Sequence, residues 1–304
     1  MTIYFDEVAA TERAFGDIRG TRQRLGAAAG SAAVGLSRWR IPAGARNAPV
    51  HAHADEEEIF FVLEGEGLLW QDGCTHPVGP GDTIVHRVDG APHTLFGGPL
   101  DVLAFSEGAT TRLVWLPRPN VMWAGQRWLP LDGPRPFEAE AALGPLEPPA
   151  PDRECPSNVV ALADVEPVSV RRGRTDTARR RLGAAAGAVR SGLTEISIAP
   201  GAAGHPPHCH SAEEELFVVL EGSGTLLLGD EREPIRAGGV VARPAGTGVA
   251  HSFEAGPEGL RFLAYGQHDP RDVCFYPRSS KISVRGIGSV RFLVEQVGYW
   301  DGEE

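Results

Sequence analysis

The sequence predicts an all-β chain that folds twice into the same small barrel or jelly roll. Three observations carry this expectation. The 38 glycines and 25 prolines among 304 residues are about a fifth of the chain, against about 12% in an average protein. Both residues disfavour helix interiors and suit short strands joined by turns. Apolar residues alternate with a period near two. Finally, the chain repeats itself: RQRLGAAAG at 22–30 returns as RRRLGAAAG at 179–187, with Leu25 and Leu182 157 residues apart. The same offset carries HAHADEEEIFFVLEGEG (51–67) onto HCHSAEEELFVVLEGSG (208–224).

Taken in order, each copy reads as short strands and glycine turns. EIFFVLEGEGLLW (58–70) and ELFVVLEGSGTLLL (215–228) read as strand, glycine turn, strand. TIVHRV (83–88) and VVARPA (240–245) are short strands, and LDVLAFSEG (100–108) and LRFLAYGQ (260–267) supply another. PLDGPRPFEAEAALGPLEPPAPDRECPS (130–157) is rich in proline and acidic residues, so it reads as an extended linker over the surface with room for a short helix at 137–143. The expected domains are therefore 1–129 and 158–304, joined by the linker 130–157.

Composition narrows the partners. A net charge of −11 disfavours nucleic acid or an anionic membrane as the main partner. No apolar run reaches 18 residues, so no spanning helix is expected, and the opening MTIYFDEVAATERAFGD lacks the pattern of a secretory signal. Cys74, Cys155, Cys209 and Cys274 form no dense framework and read as reduced thiols of a cytoplasmic protein. A small-molecule substrate and a monomer or homodimer are expected.

The residues that carry chemistry are few. His51 and His53 are one residue apart, which on a strand puts both imidazoles on one face. Glu58 follows, then His93; the second copy supplies His208, His210, Glu215 and His251 in the same order. Three imidazoles and a carboxylate are a metal-ligand set by type. Glu57 and Glu214 are rival carboxylates, but Glu58 and Glu215 keep a fixed distance to Gly65 and Gly222. His76, His86, His205 and His268 read as ordinary buried histidines, and the arginines around 171–181 as a solvated surface.

These residues resemble the first motif of the cupin superfamily, a histidine pair followed by a glutamate and a glycine. Gly81 with His93 and Gly238 with His251 loosely match the second motif. The resemblance implies a bicupin of two double-stranded β-helix barrels, each with one divalent transition metal, Fe, Mn, Ni, Cu or Zn. It covers about 25–115 and 182–275 and is nearest in kind to quercetinase-like and oxalate-degrading bicupins.

The leading expectation is a dioxygenase-like oxidoreductase acting on a small enolisable or oxygen-rich substrate, with Glu58 or Glu215 as proton acceptor. A redox-neutral Mn-type decarboxylase or sugar-phosphate isomerase is the alternative, and a non-catalytic ligand-binding protein is a third. Phe60 and Phe217 share the ligand face and are expected to touch substrate, as are Arg40 and Trp70. Arg38 and Arg40 are the cations expected beside the metal. Because Trp39, Arg40 and Trp70 align with Ile196, Ser197 and Leu227, the two pockets should differ in size and charge.

Overall fold

Alternation gives each strand two faces, and in the longest strands both faces are apolar. In the computed structural model, which describes residues 2–88, 90–108, 112–125, 127–129, 136–151 and 156–301, Phe60 and Val62 fill the first barrel while Ile59 and Phe61 face a core shared with the second copy. Phe217 and Val219 fill the second barrel, and Leu216 and Val218 face the shared core. Cys155 and linker residues 130–135 and 152–155 lie outside the described residues.

Each copy builds an eight-stranded sheet and a four-stranded sheet, with neighbours antiparallel. In the first copy Glu58–Gln71 lies between Thr83–His86 and His93–Ser106, which in turn pairs with Gly35–Ile41. The small sheet pairs Ala52–His53 with Leu113–Leu116. The second copy repeats the plan with Glu215–Leu228 between Gly239–Arg243 and His251–Gln267. Among the described residues no helix is long and apolar enough to cross a membrane.

The expected turn at the EGEG and EGSG segments is instead a bend within one continuous 14-residue strand in each copy. Gly65 and Gly222 take positive φ, 82° and 77°, and a Cβ there would run into the carbonyls of Pro99 and Gly259. The register shifts at this point, as in a β-bulge. The bulge also reverses which residues face inward: Phe60 and Val62 point into the barrel, but beyond the bend Leu69 does so rather than Trp70.

The copies are tied together reciprocally. Ile3–Tyr4 adds to the second copy's sheet through Val240 and Gly239, and Val159–Val160 adds to the first copy's sheet through Ile84 and Thr83. Glu57, 1% exposed, accepts hydrogen bonds from the Val189 and Ser191 amides and the Ser191 hydroxyl. Glu214, also 1% exposed, accepts from the amides of Ala32, Ala33 and Val34. Phe105 and Tyr265 stack at 5.2 Å between them.

The linker forms the short helix for which its sequence leaves room, but that helix buries a side chain instead of lying wholly on the surface. Pro136–Ala141 is a helix whose Glu140 is fully buried and accepts from Arg46 at 3.0 Å and Arg118 at 2.8 Å. Arg46 is itself fully buried and also donates to Asp17. A buried guanidinium needs carboxylates around it, and the linker supplies one.

Glu214→Ala is expected to lower the unfolding free energy by about 1.5–3 kcal/mol, because buried amides lose a charged acceptor. The exposed Glu231→Ala should change it by less than about 0.5 kcal/mol. Urea melts of both variants check this, and equal midpoints would remove the assigned role.

Candidate metal centre

Each barrel gathers its histidines from both sheets. In the first, His53 comes from the short strand Ala52–His53, His51 precedes it in an isolated bridge to His93, and Glu58 and His93 open the two long strands. One oxygen of Glu58 lies 3.9, 3.6 and 3.3 Å from Nε2 of His51, His53 and His93. In the second, the matching oxygen of Glu215 lies 3.9, 3.5 and 3.0 Å from Nε2 of His208, His210 and His251.

The opposite ring nitrogens are held from behind. His51 Nδ1 and His208 Nδ1 donate to the carbonyls of Pro49 and Pro206 at 2.8 and 2.9 Å. His53 Nδ1 pairs with Glu56 at 2.9 Å and His210 Nδ1 with Asp272 at 2.8 Å. This fixes the tautomer that turns the Nε2 lone pair inward, the usual support of a metal-ligating histidine. Nε2 of His53, His210 and His251 is buried without a hydrogen bond, although carboxylate oxygens lie within 4 Å. His93 Nε2 is within hydrogen-bond distance of Glu58 at 3.3 Å, and the remaining Nε2 atoms of the first barrel converge on the same carboxylate oxygen, an arrangement that suits a cation between them. The donor set of imidazole nitrogen and carboxylate oxygen fits a divalent metal in each barrel.

Burial and mutual charge pull the histidines of each group in opposite directions. Burial, reinforced by His93 and His53, pushes His51 down to about 3; burial and His251 push His208 down to about 4. Burial also opposes charge on His53 and His210, but Glu56 and Glu58 raise the former to about 10 and Asp272 leads in raising the latter to about 11. Glu58 resists the upward effect of burial and stays well below the usual carboxylate range through His53 and His93.

The two centres are not equivalent. In the first, the ligand atoms of His51, His53, Glu58 and His93 all lie within 4.8 Å of one another. In the second, His208, Glu215 and His251 group together, while His210 groups with His208 and Cys274. Cys274 pairs with His210 across the small sheet, where the first copy has Val114 opposite His53.

Their surroundings differ more. The first centre opens into a cavity of about 460 Å³ and the second into one of about 70 Å³. Opposite Leu226 and Val219 stand Phe253 and Phe262, where the first copy sets Leu95 and Val102 opposite Leu69 and Val62. Phe217 closes that aromatic cluster, 5.0 Å from Phe253 and 5.9 Å from Phe262, and lines the small cavity. Phe60 packs beneath the first centre, 6.2 Å from His93, and does not line the large cavity.

Arg40 and Trp70 do not reach the site expected for them. Arg38 and Arg40 pair with Asp101, on the face of their strand opposite to Trp39. Trp70 is turned outward by the bulge. The cations on the first cavity are Arg13, Arg22, Arg24 and Arg112. Arg22 and Arg24 stand in the repeated RxRLGAAAG segment, and that repetition was the signal for them. His86, read as an ordinary buried histidine, stacks flat on His93 with centroids 3.4 Å apart.

A model of the cupin domain matches residues 37–97 and again 194–265. Among solved structures, oxalate decarboxylase from Bacillus subtilis at pH 4.6 is 18% identical with a TM-score of 0.59, over 88% of this chain and 76% of that one. A second structure of that enzyme, from work on its Mn(II) centres, is 17% identical with a TM-score of 0.59 over 90% and 78%. No curated protein sequence matches this chain.

Two measurements bear on the centres. Elemental analysis should find close to two divalent ions per chain, with His51→Ala and His208→Ala each losing about one; no loss in either variant would exclude these ligands. In metal-free protein, His51, His205 and His208 titrate at about 3, 3 and 4 when folded against an ordinary value of 6.5. The unfolded chain therefore binds the extra protons, and stability falls as pH drops below about 6.5. The raised His53 and His210 work in the opposite sense, and their contribution is lost as pH rises towards 10–11. Metal-free protein should be most stable near pH 6.5, and metal should remove the alkaline decline; a flat profile from pH 5 to 9 would contradict this.

Proposed function

Since this chain is a metal-binding bicupin of the cupin superfamily, we propose that it is a metal-dependent enzyme of the redox-neutral, decarboxylase type, acting on a small carboxylic acid at the first centre. The observation that carries this reading is the wall of that cavity. Four arginines line it together with His51, His53 and Glu58, so a chain of net charge −11 presents positive charge where its metal ligands are. The likeness to oxalate decarboxylases favours the same class over the dioxygenase-like one.

His51, His53, Glu58 and His93 would hold the ion, and a bound divalent metal supplies a Lewis acid that polarises substrate oxygens. The arginines bind and orient the carboxylate. Glu56 holds His53 in register through Nδ1. Glu58, kept ionised by His53 and His93, keeps the ligand group anionic. When the carbon–carbon bond of the bound carboxylate breaks and CO2 departs, the electron pair stays on the remaining carbon, which takes up a proton from solvent. The second centre, with about 70 Å³ in front of it, serves structure.

Manganese-loaded protein given a panel of small carboxylic acids should release CO2 without matching O2 uptake. His51→Ala should reduce turnover by about 100-fold or more, a loss in the range of removing a catalytic metal's support. His208→Ala should keep at least about a tenth of it. O2 uptake one-for-one with product would instead favour the oxygenase reading.

A further inference from the structure

The arginines of the large cavity are arranged as part of a stack. The guanidinium of Arg13 lies 4.5 Å from the ring centroid of Trp39 and 4.5 Å from that of Phe137, and Arg22 lies 5.0 Å from Trp39. Arg22 Nε donates to Ser37 at 3.0 Å, which fixes its plane. Among the described residues neither Arg13, Arg22 nor Arg24 forms an ion pair with a carboxylate, whereas Arg38, Arg40 and Arg46 all do. Burial, with the charges of Arg22 and Arg24, lowers Arg13 to about 10; burial, with Arg24 and Arg112, lowers Arg22 to about 10 against the raising effect of Glu58 and Glu56. Three cations held close, with the nearest carboxylates engaged at the metal group, are an anion site awaiting its charge.

Beside the polar Ser31, Asn47 and Ser106, part of the wall is apolar. Ala104, Val114, Leu116 and Phe137 line it, and Phe137 comes from the linker helix. A volume of about 460 Å³ lies within the 300–1,000 Å³ of pockets that bury drug-sized ligands; a two-carbon acid would leave most of it to water. Guanidiniums stacked on rings keep their N–H edges free for a planar carboxylate.

We infer that the substrate of the first centre is a carboxylate on a flat apolar body, with its ring against Phe137 and Leu116 and its carboxylate between the Arg13–Trp39–Arg22 stack and the metal group. This rests on the proposed acid-decarboxylating reading only for the fate of the carboxylate. The second copy lacks the arrangement: Ile196 replaces Trp39, and Val170 stands at the place of Arg13.

The test is binding to manganese-loaded full-length protein, followed by calorimetry, with acetate, oxalate, benzoate and phenyl phosphate as probes. Benzoate should bind at least about 10-fold more tightly than acetate or oxalate. Arg13→Gln should weaken benzoate about 10-fold with unchanged metal content and melting temperature, and Phe137→Ala should weaken benzoate but not acetate. Equal binding of acetate and benzoate, or an unaffected Arg13→Gln, would overturn the inference, and so would phenyl phosphate binding more tightly than benzoate. Tight benzoate binding without CO2 release from any aromatic acid would support the subsite and remove the proposed reaction. CO2 release with no aromatic preference would do the reverse.

Discussion

The carboxylates of Glu57 and Glu214 each accept three hydrogen bonds from the other copy, and the arrangement of both metal groups depends on that exchange. In a strand, neighbours point to opposite faces. Holding residue 57 against the partner barrel therefore fixes residue 58 towards its own histidines, and the same holds for 214 and 215. Ile59 and Phe61 continue the outward set in the shared core, while Phe60 and Val62 continue the inward one. The exchanged strands at Ile3–Tyr4 and Val159–Val160 extend the same two-fold relation to the sheet edges. The two halves thus behave as the protomers of an isologous dimer joined in one chain.

Within that near-symmetry the sites diverge through interior side chains and through the linker. Phenylalanines at 253 and 262 occupy space next to the second centre, and the first keeps its space and adds a roof. Neither difference touches a ligand. The metal groups remain alike to within 0.3 Å in their carboxylate distances, while the volumes before them differ several-fold. Donor-bearing differences in contact with ligand histidines include Cys274 and Asp272 beside His210 and His86 against His93.

Much of this was legible in the sequence because repetition acts as an internal control. A histidine pair alone says little, but the same pair with the same glutamate, glycine and later histidine in a second register singles out eight residues that the structure gathers into two groups. The failures have physical causes. Trp70 stands out in the sequence as an aromatic that aligns with Leu227, but beyond the bulge at Gly65 it is Leu69 that faces inward. Arg38 and Arg40 stand out as cations with no counterpart at Glu195 and Ser197, yet their strand face turns both to Asp101. Arg13, Arg22 and Arg24 reach the cavity from strands and turns that only the sheet order brings together. Phe137 and Glu140 lie in a stretch whose composition reads as solvated linker, and a single buried partner, Arg46, decides otherwise.

That last pair bears on how a duplicated protein becomes unequal. Two identical barrels related by a two-fold axis have two identical mouths, but fusing them creates a single connection. The helix at Pro136–Ala141, clamped through Glu140 to Arg46 and Arg118, lays that connection over the first mouth. Covalent joining by itself breaks the symmetry, with no difference between the barrels required. On the other side no connection covers the mouth among the described residues, and Phe253 and Phe262 pack inward beside Phe217. On this view specialisation of the two halves begins with the tether, and divergence of their interiors follows from it.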